Sequence, residues 1–338
     1  MNDENPSSVI PKLRILFCDR RIPALAGTRP TAATVLEGLG HEIVLGEDGP
    51  VTFDGIDVIL MWGNPGYFPK LRKQLLRTPK IPRPLVAVVH AEPLPPPRAS
   101  GLPRFTSLSV AEIGKILLRD WRATDIYSNA FTLRRMMREG SIDLLFAMSA
   151  EKVEYFREQG YEAWHIPYGY HPSLGHLLNL ERDVDVLFLG DTRPPRRRKL
   201  LRYLRNAGID VTVKGSWYDA ALWGENRTQF LNRTKIIVHL QRYPGKLAAK
   251  RFILAMANGA MVVSEPPYLP APFVNGVHYA EATIENMAAV IRHYLANPEE
   301  RERITRAGHR LVTEDLTFER SMRAMLDVIA ARLTKGTA

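Results

Sequence analysis

A single cysteine, Cys18, occurs in the 338 residues, so the chain can neither close an internal disulfide nor gather a cysteine cluster around a metal. A reducing compartment is the expectation. No apolar run reaches the roughly 18 residues that a bilayer span requires, and residues 1–12 are polar and proline-containing, without the apolar core of an export signal. The chain therefore reads as soluble and cytoplasmic. Two phosphate-binding signatures are missing as well, G-x-G-x-x-G and G-x-x-x-x-G-K-[ST], so neither a dinucleotide fingerprint nor a P-loop is supported. His165, His171 and His176 share no helix-face ligand spacing, and no acidic pair of the D-x-D type stands at a strand's end; no metal is expected.

What is present is a folded protein's balance of 45% apolar and 24% charged residues. The length suits two cores of roughly 150 residues each. Forty-six Lys and Arg against thirty-six Asp and Glu leave a net charge of +10, a field that draws anions such as nucleotide diphosphates or acidic surfaces. Nucleic acid ranks last among these partners, because no recognition helix or aromatic stacking motif accompanies the charge.

Short apolar runs alternate with amphipathic segments throughout, the pattern of parallel strands covered by helices. The expected class is α/β, with two Rossmann-like domains facing across a cleft. The first half reads as strands at 14–18, 42–45, 58–62, 85–90, 143–148 and 163–167, with helices at 30–39, 68–76, 111–119 and 151–159. Glu92 to Pro103, crowded with proline, is expected as a stiff loop after the strand ending at His90. A break from Gly169 to Asp183 marks the boundary. Beyond it come strands at 184–189, 211–214, 236–240 and 261–264, with helices at 196–207, 227–232, 248–257, 284–296 and 299–312. The resulting division is residues 1–169, 170–317 and a terminal helix, 318–338, packing back on the first domain.

In open parallel sheets ligands lie beyond the carboxyl ends of strands. Glycines cluster there: Gly27 with Thr28, Gly63 with Asn64, and Gly190 and Gly215 in the second half. Glycine lets backbone N–H groups approach phosphate closely, and a following helix N-terminus adds positive potential. The run Gly190-Asp-Thr-Arg-Pro-Pro-Arg-Arg-Arg-Lys199 sets cations beside such a terminus. Arg193 and Arg196 are the candidates there, with Arg197, Arg198 and Lys199 read mainly as a solvated face. Lys214, Lys250 and Arg251 are further anion candidates, the last two suited to neutralising a leaving diphosphate. Glu265, ending a short strand, suits ribose hydroxyls. His90 and Glu92 suit acceptor contact or proton removal, with Gly27, Thr28, Gly63 and Asn64 as acceptor or interdomain loop residues.

Asp185-Val-Leu-Phe-Leu-Gly-Asp191, Val213-Lys-Gly215, Lys235-Ile-Ile-Val-His-Leu240, Lys250-Arg-Phe-Ile-Leu-Ala-Met-Ala-Asn-Gly259 and Met261-Val-Val-Ser-Glu265 resemble group 1 glycosyltransferases of the spore-maturation type, which have the GT-B architecture. The resemblance runs from about Ala147 to Leu326. It implies metal-independent transfer from a nucleotide-sugar co-substrate held by the C-terminal domain to an acceptor it does not identify, with no other cofactor. The chain has Leu254 and His278 where that family carries glutamates. Two alternatives therefore stand beside transfer: a degenerate nucleotide-binding GT-B protein, and a sugar-nucleotide 2-epimerase.

Overall fold

The computed structural model describes residues 10–19, 31–79, 83–91, 117, 129–215, 224–242 and 244–336. The described residues before Tyr168, together with those from Ser321 onward, form one compact unit; Tyr168–Arg320 forms most of a second.

The first unit contains β1 (Arg14–Asp19), α1 (Thr31–Gly38), β2 (Glu42–Gly46), β3 (Val58–Trp62), α2 (Pro69–Arg77), β4 (Leu85–His90), α3 (Asn129–Arg138), β5 (Leu144–Ala147), α4 (Ala150–Glu158) and β6 (Trp164–His165). Its six strands are ordered β2-β1-β3-β4-β5-β6, and every pairing is parallel. Val58, Ile59, Leu60 and Met61, with Val86, Ala87, Val88 and Val89, are wholly buried, because helices cover both faces of a parallel sheet. Each large aliphatic side chain so buried contributes roughly 1.5–3 kcal/mol.

The second unit contains β7 (Val184–Leu189), α5 (Pro195–Asn206), β8 (Thr212–Lys214), α6 (Gly224–Asn232), β9 (Thr234–His239), α7 (Ala249–Ala257), β10 (Met261–Ser264), β11 (Ala280–Glu281), α8 (Ile284–Ala296) and α9 (Pro298–Arg310); α10 (Phe318–Gly336) leads back into the first unit. Five parallel strands are ordered β11-β10-β9-β7-β8. The two-residue alternation of strands sorts its core: Leu187, Ile237 and Val262 meet Phe252 and Ile253 of α7, whereas Val186, Phe188, Val238 and Val263 meet Leu200 and Leu204 of α5 and Ile291 of α8. Proline opens both α5 and α9, where its missing N–H costs nothing.

The α/β class and the paired parallel sheets agree with the sequence reading. Several details differ, the short strand β11 among them. Helix α3 was not expected: Leu133 and Met136, both buried, carry its only clear apolar spacing in a strongly cationic segment. The strand expected over 163–167 shrinks to Trp164–His165, at a sheet edge where Pro167 has no N–H to donate. The helix expected over 299–312 ends at Arg310 and passes into a π-helical turn, Leu311–Asp315. The helix expected over 111–119 and the proline loop from Glu92 lie outside the described residues, apart from helical Leu117. Among the described residues no helix is long and apolar enough to cross a membrane.

Candidate functional site

In the second sheet the chain moves from β7 outward to β8, then returns to place β9 on the other side of β7. That reversal makes the carboxyl ends of β7 and β9 the place where a doubly wound sheet receives its ligand. Gly190 leaves β7 there, its N–H donating to the Lys214 carbonyl at 2.9 Å. Gly215 leaves β8 with φ +117°, and a Cβ on it would lie 2.8 Å from Gly190 N. The two strand tips are thus bare backbone in close approach. A Cβ on Gly190 would meet the Arg251 guanidinium, 2.9 Å from Nη2.

Arg251 lies in the first turn of α7, its N–H bonded to the Ala248 carbonyl. Its Nη1 is buried and has no hydrogen-bond partner, and no salt bridge neutralises the group among the described residues. Burial, aided by the nearby Arg197, pushes its pKa down to about 9, so it remains a cation at neutral pH. A cation at the positive end of a helix dipole, without a carboxylate, is in an unfavourable field until an anion arrives. Arg197, on the opposite side of the tips, is itself buried. Its Nε donates to the Leu240 carbonyl at 3.0 Å and its Nη1 to the Asp191 carbonyl at 3.1 Å, and burial and Arg242 lower its pKa. The His239 imidazole at the end of β9 is buried against Phe252 and contacts Ser264 Oγ at 3.0 Å. Burial first, then Arg251 and Arg197, hold its pKa well below the usual histidine value, so it is neutral.

Glu265 occupies the end of β10, but its carboxylate is already engaged. Arg196 Nη1 donates to Oε2 at 2.9 Å and Arg196 Nη2 to Oε1, while Gln241 N donates to Oε2 at 2.8 Å. This bidentate pair raises the pKa of Arg196. Gln241 joins the segments after β9 and β10: its Nε2 donates to the carbonyls of Glu265 and Pro266, and its Oε1 accepts from Gly245 N at 2.6 Å. Gly245 and Tyr268 complete the junction through a 2.7 Å backbone bond.

Of the donor residues expected from sequence, Gly190, Gly215, Arg251, Arg196 and Glu265 stand at these strand ends. Others turn elsewhere. The Lys214 ammonium lies 5.8 Å from the centre of the Phe230 ring, and that of Lys250 lies 5.6 Å from Tyr168. Arg193 is exposed and held by Asp191 at 3.0 Å. Arg197, read as solvated, instead points inward: its position on α5 shares the face of Leu200 and Leu204. Gln241 and His239 were missed, although the strand-end rule that selected Gly190 also reaches them. Leu254 is buried in the apolar core around α7. His278 accepts from Val274 N at 3.0 Å through Nδ1, and burial lowers its pKa.

In the first unit Gly63 follows β3 with φ +101° and donates to the Val89 carbonyl. Asn64 is buried, its Oδ1 accepting from Gly66 N at 2.8 Å. His90 is wholly buried, edge-on to Phe156 at 5.6 Å, and Lys152 donates to its carbonyl and that of Ala91. Gly27, Thr28 and Glu92 lie outside the described residues. No group of three metal-ligating side chains occurs among the described residues.

Residues 196–327 match a family model described as glycosyl transferase-like. Sucrose-phosphate synthase from Thermosynechococcus elongatus shares the fold over 97% of this chain and 100% of its own (TM-score 0.62, 12% identity). HepE from Anabaena, solved with UDP-glucose, does so over 96% and 99% (TM-score 0.52, 12% identity). TarM matches 80% of this chain (TM-score 0.57, 12% identity), which spans 54% of TarM's length. No curated protein matches the chain in sequence. The two parallel α/β sheets shared with these structures make the GT-B fold, and the similarity to glycosyl transferase-like proteins extends over residues 196–327.

Proposed function

We propose that the protein transfers a sugar from a nucleoside diphosphate sugar to an acceptor, holding the donor diphosphate beyond the ends of β7, β8 and β9. The observation that carries this reading is the Arg251 guanidinium: largely buried, without a carboxylate among the described residues, and set against the bare backbone of Gly190. A diphosphate supplies the missing counter-charge, and the glycines let its oxygens approach backbone N–H groups. The N-termini of α5 and α7 have no acidic residue in their first turns, which further favours an anion there.

In such a transfer the bond from the anomeric carbon to the diphosphate breaks as the acceptor hydroxyl oxygen bonds to that carbon; the leaving diphosphate takes the electron pair, and the hydroxyl proton passes to a diphosphate oxygen or to solvent. Arg251, with Arg197 behind it, meets that growing charge. Charge neutralisation by these side chains is the basis for proposing a metal-independent reaction. Arg196, Glu265 and Gln241 act in this reading by fixing the segments around the donor, and Glu265 has less capacity left for ribose hydroxyls than its strand-end position implies. A cytoplasmic location belongs to the same proposal, supported by the free, buried Cys18 thiol; the His90 imidazole, wholly buried against Phe156, has no open face for the acceptor contact expected of it.

Uridine diphosphate sugars are the first donors to test, since HepE was solved with UDP-glucose. The experiment is a thermal-shift screen of nucleoside diphosphates and their sugars, followed by product analysis of any donor that raises Tm. Release of nucleoside diphosphate with the sugar on an added acceptor supports transfer. A rearranged donor without acceptor indicates epimerisation, and binding without turnover a degenerate enzyme. Absence of any shift across the panel overturns the reading.

A further inference from the structure

Helix α5 divides its cations between two directions. Arg196 and Arg197 turn toward the strand ends, whereas Arg198, Lys199, Arg202 and Arg205 are exposed. Leu200, Leu201 and Leu204 hold the other side of the helix on the sheet. The i, i+4, i+7 spacing of Arg198, Arg202 and Arg205 therefore makes an outward stripe, with Lys199 beside it.

No Asp or Glu occurs from Pro195 to Asn206. None of the four exposed side chains has an ion pair or side-chain hydrogen bond among the described residues. The acidic groups on flanking segments, Asp210 beyond the helix and Glu285 on α8, leave the stripe unpaired; Glu285 contributes its carbonyl to the Tyr203 hydroxyl at 3.3 Å. A merely solvated helix face interleaves charges of both signs, which this one does not. Tyr203, 42% exposed, stands at its margin.

We propose that this face of α5 adsorbs the protein onto an anionic lipid bilayer. Guanidinium groups pair with phosphate oxygens in two-point geometry, and a tyrosine beside a cationic helix face is suited to the headgroup region. The leucines are committed to the core, so attachment is electrostatic, reversible and salt-sensitive. The inference is independent of glycosyl transfer, because none of these side chains belongs to the strand-end site.

The test is co-sedimentation of the full chain with vesicles of phosphatidylcholine, with and without phosphatidylglycerol. Wild type is expected to bind only the anionic vesicles and to be released by raised salt. Joint replacement of Arg198→Glu, Arg202→Glu and Arg205→Glu is expected to weaken binding by about a hundredfold or more, while any nucleotide-induced rise in Tm persists. The triple glutamine version controls for folding and is expected to weaken binding less. Absence of binding to anionic vesicles, undiminished binding by the glutamate variant, or stronger binding to duplex nucleic acid than to vesicles at the same salt overturns the proposal.

Discussion

Arg196 and Glu265 are 69 residues apart in sequence, yet the guanidinium and carboxylate meet through two parallel hydrogen bonds. The pair ties the first turn of α5 to the end of β10, with Glu265 buried and Arg196 partly so. Glu265→Ala leaves Gln241 N without its acceptor and the Arg196 cation with only the Gln241 carbonyl, 2.8 Å from Nη1. A loss of about 3 kcal/mol is expected in denaturant unfolding, and Arg196→Met in the same chain is expected to restore part of it. Additive losses in the double-mutant cycle would refute the coupling.

Arg251→Ala removes a largely buried cation that has no carboxylate partner among the described residues. Its thermal stability is expected to stay near wild type, since cavity formation and relief of the unpaired charge oppose each other. Nucleoside diphosphate binding should weaken by about tenfold to a hundredfold, the worth of a charged hydrogen bond of roughly 1.5–3 kcal/mol. Titration calorimetry measures this directly.

The neighbouring glycines are expected to fail differently. Gly215→Ala places a Cβ 2.8 Å from Gly190 N at φ +117°, where backbone has to move, so stability should fall by about 1–3 kcal/mol. Gly190→Ala is also strained, at φ +154°, and its Cβ meets the end of the Arg251 side chain, which has to swing aside. It should lose diphosphate affinity on top of its loss of stability, and the two variants separate on comparing Tm with binding.

Stability should decline with acid below pH 6.5, the ordinary histidine pKa. Unfolding exposes His239, which then takes up a proton that the folded state refuses; stability contributed by its neutral burial is present above pH 6.5 and lost as pH falls. The contribution is up to about 1.4 kcal/mol per pH unit. His239→Gln should flatten the slope of unfolding free energy against pH by about one proton. An unchanged slope would show that His239 is not the group responsible.

Sequence alone determined the α/β class and the ends of most strands, because a strand covered on both faces must be apolar along its length and stops where polarity returns. That rule exposed Val58–Trp62, Leu85–His90 and Val184–Leu189, and with them the glycines after the tips. Helix α3 escaped because few apolar positions mark its inward side. Only the tertiary structure decided which charges belong together. Arg197 looked like one more cation in a solvated run, and Glu265 like an open carboxylate. Side-chain direction around a helix and proximity across strands distant in sequence made the first a buried group and gave the second to Arg196. Hydrogen bonds act over a few ångströms of space, and sequence separation carries no record of them.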